Sequence, residues 1–141
     1  MQITTTIDLR GALTRLKSLQ TSPNDMKKAL KVAALGQVRE VKTRTKKGVG
    51  LKGLFKPYSQ EYSAYRQSKG RSSRSPNLLF TGKMLADMGV VKSTPFESII
   101  SFHRKTERDK ADGNQRSRPF MGITAAEQKQ IVKRFRGSLF K

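Results

Sequence analysis

The stretch that opens at Ser22-Pro23-Asn24-Asp25 leaves this chain the least freedom. Serine is a strong N-cap, and proline suits the first helical turn because its missing amide would be unpaired there anyway. An acid in that turn meets the positive end of the helix dipole. Beyond it Met26, Leu30, Ala33, Ala34, Val38 and Val41 recur at spacings of three and four, with Leu35 beside them, and the pattern stops before Gly48. The spacing predicts a long amphipathic helix. Its bases Lys27, Lys28, Lys31, Arg39, Lys42 and Arg44 mostly avoid the apolar stripe.

Shorter elements are predicted around it. Gln2–Ile7 alternates with β-rich residues and reads as a short strand or extended arm. Asp8 could cap a helix from about Leu9 to Leu19 carrying Leu9, Leu13, Leu16 and Leu19 on one side. Residues 48–58 hold three glycines and a proline and predict a loop with a few buried anchors. Ser59 is placed to cap a short helix through Tyr62 and Tyr65 to about Ser68. Residues 69–76 are basic and rich in Ser, Gly and Pro, and predict a mobile segment.

Further on, Thr81 could cap a short helix holding Met84, Leu85 and Met88. Val90-Val91-Lys92 and Glu97–Phe102 read as two strands around a Ser93-Thr94-Pro95 turn. Residues 104–118 are almost wholly polar and predict a mixed-charge loop. Thr124-Ala125-Ala126-Glu127 matches a capping box, opening a helix with Ile131, Val132 and Phe135 on its apolar side and an end near Arg136. The expected fold is a single α+β domain over 1–141: N-terminal helices, a small antiparallel sheet and a C-terminal helix, with mobile basic loops at about 48–58, 69–76 and 104–118.

Hydrophobic residues make up 35% of the chain, against roughly 45–50% (glycine included) for an ordinary globular domain. A monomer with so thin a core gains by burying surface against copies of itself or other partners. Cysteine is absent, which excludes disulfides and thiolate metal sites. No apolar run reaches the ~18–20 residues of a membrane span, and the opening residues lack the pattern of a secretory signal. The expectation is a protein used in a cytoplasm, or built into a particle there, without membrane contact.

The charge is uneven. Thirty Lys and Arg stand against ten Asp and Glu, a net +20, and residues 27–76 hold fourteen of the bases with two acids. Such a density repels itself unless something acidic faces it. Lys42, Arg44, Lys46, Lys47, Arg71 and Arg74 are the candidate contacts for an acidic partner or DNA. Tyr58, Tyr62 and Tyr65 could stack on bases, although their spacing equally suits a helix side packed in the core.

Signals for catalysis are weak. His103 is the only histidine, and Glu107, Asp109 and Asp112 lie among Arg104, Lys105, Arg108 and Lys110, a pattern that suits a solvated mixed-charge segment better than a metal site. Gly48-Val49-Gly50-Leu51-Lys52-Gly53 has neither the P-loop pattern nor a preceding strand. No catalytic residue, cofactor or metal is expected.

Two segments carry a resemblance. Leu78-Leu79-Phe80-Thr81-Gly82-Lys83-Met84-Leu85 and Arg118-Pro119-Phe120-Met121-Gly122-Ile123-Thr124 stand in order with two predicted strands between them, and Glu127 and Ile131 follow the second in step. From Lys52 onward this order resembles the tailed-phage virion-morphogenesis or tail-completion proteins, the Mu-type and P2-type group. Pro57-Tyr58-Ser59 falls where that group has an earlier short motif. The resemblance implies a non-catalytic neck subunit (tail terminator or head–tail joining) in the virion, assembled in the host cytoplasm as a homo-oligomeric ring, a hexamer, around the DNA channel. Its implied partners are neighbouring neck and tail proteins and genomic DNA in the lumen. The alternative from charge alone is a small nucleoid- or ribosome-associated nucleic-acid-binding protein.

Overall fold

In a computed structural model, residues 3–8 and 22–140 are described. The helix predicted for Leu9–Leu19 lies outside them. The long helix α1 spans Pro23–Lys46, and Ser22 Oγ accepts a hydrogen bond from the Asp25 amide at its start. Met26, Leu30, Ala33, Ala34, Val38 and Val41 are all buried, whereas Leu35 faces outward and is 47% exposed. Gln37 and Thr45 also lie inward, so the buried side is wider than the apolar stripe.

A three-stranded antiparallel sheet lies under α1. Strand β1 (Thr5–Asp8) and strand β4 (Met88–Ser93) flank β5 (Glu97–Phe102) in the order β1-β5-β4. The register pairs Thr5 with Ile100 and Met88 with Phe102, and a bulge interrupts β4 between Val90 and Lys92. Ile100 and Phe102 are fully buried, as expected for a central strand covered by a helix. Helix α1 packs on β4 and β5, and along the C-terminal helix α5 (Ala125–Leu139). The fold is therefore α+β in a single domain, as expected.

Three local expectations are corrected. Within residues 48–58 a small hairpin forms, β2 (Val49–Gly50) with β3 (Gly53–Leu54), where only a loop was expected, while Phe55 is buried as an anchor. A Cβ on Gly50 would lie 2.3 Å from the Pro119 carbonyl oxygen and 2.5 Å from the Phe55 ring, so glycine is what lets the hairpin sit against both. Residues 104–118 are mostly helix: α4 spans Lys105–Ser117. It carries the pairs Lys105–Asp109 at 2.9 Å and Lys110–Glu107 at 3.0 Å, and buries Ala111 and Glu107. With one small apolar residue on the packed side, no apolar period betrays it.

The third correction is Met88, expected in the short helix after Thr81. Helix α3 (Lys83–Asp87) stops one residue earlier, and Met88 begins β4. Its N-cap is Gly82 in the left-handed region (φ 78°), while Thr81 Oγ1 accepts only a long 3.4 Å bond from the Lys83 amide. Helix α2 (Gln60–Ser68) has the predicted bounds and its Ser59 cap. The following segment is irregular and is tied to α2 by that helix's side chains: Arg66 Nε donates to the Ser72 carbonyl, and Gln67 Nε2 to Ser73 Oγ, both at 2.8 Å.

Candidate functional site

The Arg118–Thr124 segment is a tertiary junction. Leu51 of the hairpin donates its amide to the Pro119 carbonyl at 2.9 Å. Gln115 of α4 accepts from the amides of Phe120 and Met121 and donates to the Met121 carbonyl. From α1, Arg44 donates Nη1 to the Phe120 carbonyl at 2.7 Å, and Gln37 donates to the Gly122 carbonyl. The capping box then closes: Thr124 Oγ1 accepts from the Glu127 amide, and Glu127 Oε2 accepts from the Thr124 amide.

Glu127 does more than cap. Oε1 takes Arg44 Nε at 2.6 Å and Oε2 takes Gln37 Nε2 at 2.8 Å, with only 12% and 11% of the Arg44 and Glu127 side chains exposed. Burial pushes its carboxyl pKa up, but the hydrogen bonds from Arg44, the Thr124 amide and Gln37, together with the Arg44 charge, outweigh this and hold it below the usual glutamate value. The folded state thus favours the carboxylate more than the unfolded chain does, whose pKa is ~4.3. That stabilisation is complete above the unfolded value and is lost as pH falls through the lower folded value. Urea midpoints taken from pH 6 down to pH 3 are expected to fall for the wild type more steeply than for Glu127→Gln.

These contacts remove Arg44 from the candidate partner contacts. Its guanidinium is occupied on all three nitrogens by Glu127, Phe120 and Gly122. Sequence placed it among the bases off the apolar stripe, but it stands on the margin where α5 covers α1.

Lys46 and Lys47 are exposed at the C-terminal end of α1, and Lys42 is half-buried beside them. Burial first, then repulsion from Lys46, lowers the Lys42 pKa, and Asp87 opposes them. Along the outer face of α1, Lys28, Val32, Leu35, Arg39, Lys42 and Lys46 recur at four and three, a single outward row. Val32 is 46% exposed, so with Leu35 it forms an apolar pair enclosed by bases. Arg71 and Arg74 are exposed on the segment after α2, away from that row in sequence; Arg71 lies over the Phe80 ring at 5.9 Å.

Sequence reasoning left open whether the tyrosines pack in the core; the fold gathers them at a second feature. Tyr58, Tyr62, Tyr65 and Phe80 form a continuous ring cluster, with centroids 5.0 to 6.2 Å apart. Arg66, 2% exposed, lies within it, and Arg118 also lies over the Tyr58 ring. Helical spacing of the tyrosines, with Arg66 beside them, was legible; the convergence of Phe80 and Arg118 on them was not, because those two lie well along the chain from α2. His103 is exposed next to β5, and no group of three metal-ligating residues occurs among the described residues. No family model, curated protein or solved structure matches this chain.

Proposed function

We propose that this chain is a non-catalytic structural subunit of the neck or tail-completion ring of a tailed phage. In this reading it assembles as a hexameric ring around the DNA channel, next to other neck and tail proteins. The observation that carries it is the outer row of α1, in which Val32 and Leu35 stand half-exposed inside a frame of Lys28, Arg39, Lys42 and Lys46. Docked against a neighbour, this face would bury the apolar pair and set the bases against acidic groups or DNA. The Leu78–Leu85 and Arg118–Thr124 segments supply the resemblance, and a ring's heterologous interfaces would cover surface that a thin-cored monomer leaves open.

The test pairs assembly with charge. Lys46→Glu combined with Lys47→Glu is expected to leave the fold intact and to block completion of infectious particles when supplied in place of the wild type. Normal titres from that double variant would remove this stretch from the contact surface. Light scattering with and without a short DNA duplex separates the alternative class. A monomer that binds duplex tightly at low salt and releases it steeply as salt rises would instead mark a nucleic-acid-binding protein using the same bases.

A further inference from the structure

The ring cluster after the hairpin encloses a cleft of about 410 Å³, within the ~300–1,000 Å³ of ordinary binding pockets. Its apolar wall comes from Tyr62, Tyr65, Leu78, Phe80 and Met84, and its polar side from α4. Two guanidinium groups lie over Tyr58, Arg66 at 4.9 Å and Arg118 at 4.8 Å from the ring centroid. Each is positioned by backbone carbonyls. Arg66 donates to Ser72 and Leu79, and Arg118 to Lys56 and Pro57, through Nε and Nη2 in both cases.

Neither arginine makes an ion pair among the described residues, although one of them is almost fully buried. The acid lining this cleft, Glu107, has both oxygens occupied by Lys110 Nζ at 3.0 and 3.2 Å. A buried cation without a counter-ion is costly, and carbonyls and ring faces compensate it only in part. The Tyr58 hydroxyl, also buried, has no hydrogen-bond partner. The site thus holds two guanidinium groups without a carboxylate partner, an unused hydroxyl and an apolar wall.

We propose that this cleft binds an acidic segment of a partner protein, seating an apolar side chain against the rings and an adjacent carboxylate against the Arg66 and Arg118 guanidinium groups that line it. Charge selects that occupant. A second copy of a chain carrying +20 is a poor source of the missing anion. Nucleic acid would supply phosphate, but bases need open ring faces. Here each of the four rings already has at least two neighbours, rings or cations, at 4.8 to 6.2 Å, and the outer surfaces left on Tyr62 and Tyr65, 39% and 49% exposed, suit one side chain better than a run of stacked bases. The inference does not depend on the virion reading, since any acidic partner satisfies it.

The test is fluorescence anisotropy of the full chain with a labelled peptide, Gly-Asp-Phe-Asp-Leu-Asp-Gly, and its counterpart with every Asp replaced by Asn, at about 150 mM salt. Saturable binding of the Asp peptide is expected, tighter than the Asn peptide by about ten-fold, the size of one charge-assisted hydrogen bond. Arg66→Gln and Arg118→Gln should each weaken it by a similar factor, and Lys129→Gln, at an exposed base of α5 outside the cleft lining, should not. Circular dichroism checks the fold of each variant. If Arg66→Gln does not fold, Arg118→Gln and the shifts of the wild-type arginine Nε–Hε NMR signals on titration decide. No saturation, equal affinity for both peptides, or equal loss in Lys129→Gln would overturn the proposal. So would an oligothymidylate that binds more tightly than the peptide and is itself lost in Arg118→Gln.

Discussion

Replacing Arg44 with methionine is expected to lower the unfolding free energy by about 3–5 kcal/mol, the usual cost of removing one partner from a buried ion pair. The stem would still fill its place, but Glu127 would keep its charge with no cation beside it, and the Phe120 carbonyl would lose its 2.7 Å donor. Equilibrium urea unfolding measures the change. Lys46→Met, one half-turn further along α1 and exposed, should stay within about 0.5 kcal/mol of wild type. The contrast tests whether the two bases differ as the fold says they do. Comparable small effects at both positions would mean that the Arg44–Glu127 pair does not hold α1 to α5.

Phe120→Ala is expected to cost a similar amount, about 3–5 kcal/mol. The ring is fully buried and meets Phe102 of the central strand at 6.4 Å, edge to face. Hairpin, α4 and α1 all bond the backbone on either side of it, so the surroundings have little room to collapse into the space left behind. Phe96→Ala, at the turn between β4 and β5 with 46% exposure, is the control and should change stability little. Thermal unfolding of both variants makes the comparison, and a small loss for Phe120→Ala would show that the junction relaxes.

Legibility in the sequence followed the strength of local chemistry. Ser22, Ser59 and Thr124 announce three helix starts because a capping side chain acts within three residues of itself. The buried stripe of α1 and the pairing of β4 with β5 were readable for the same reason: periodicity and a short turn are local properties. Helix α4 was missed because its stability rests on Ala111, helix-favouring residues and ion pairs along its own length, none of which produces an apolar period. The hairpin was missed because its paired strands have two residues each and depend on Pro119, far along the chain, for support.

For the candidate surfaces the division is similar. The sequence by itself determined that the chain is strongly basic, that Lys46 and Lys47 end a long helix, and that three tyrosines lie close together. Tertiary structure alone decided which charges are available. It turned Arg44 inward onto Glu127, 83 positions away, and left Lys46 outside. It also brought Arg118 and Phe80 to the tyrosines around Arg66. Charge and helical phase are properties of neighbours along the chain, whereas the partner that neutralises a charge is chosen only when distant segments meet.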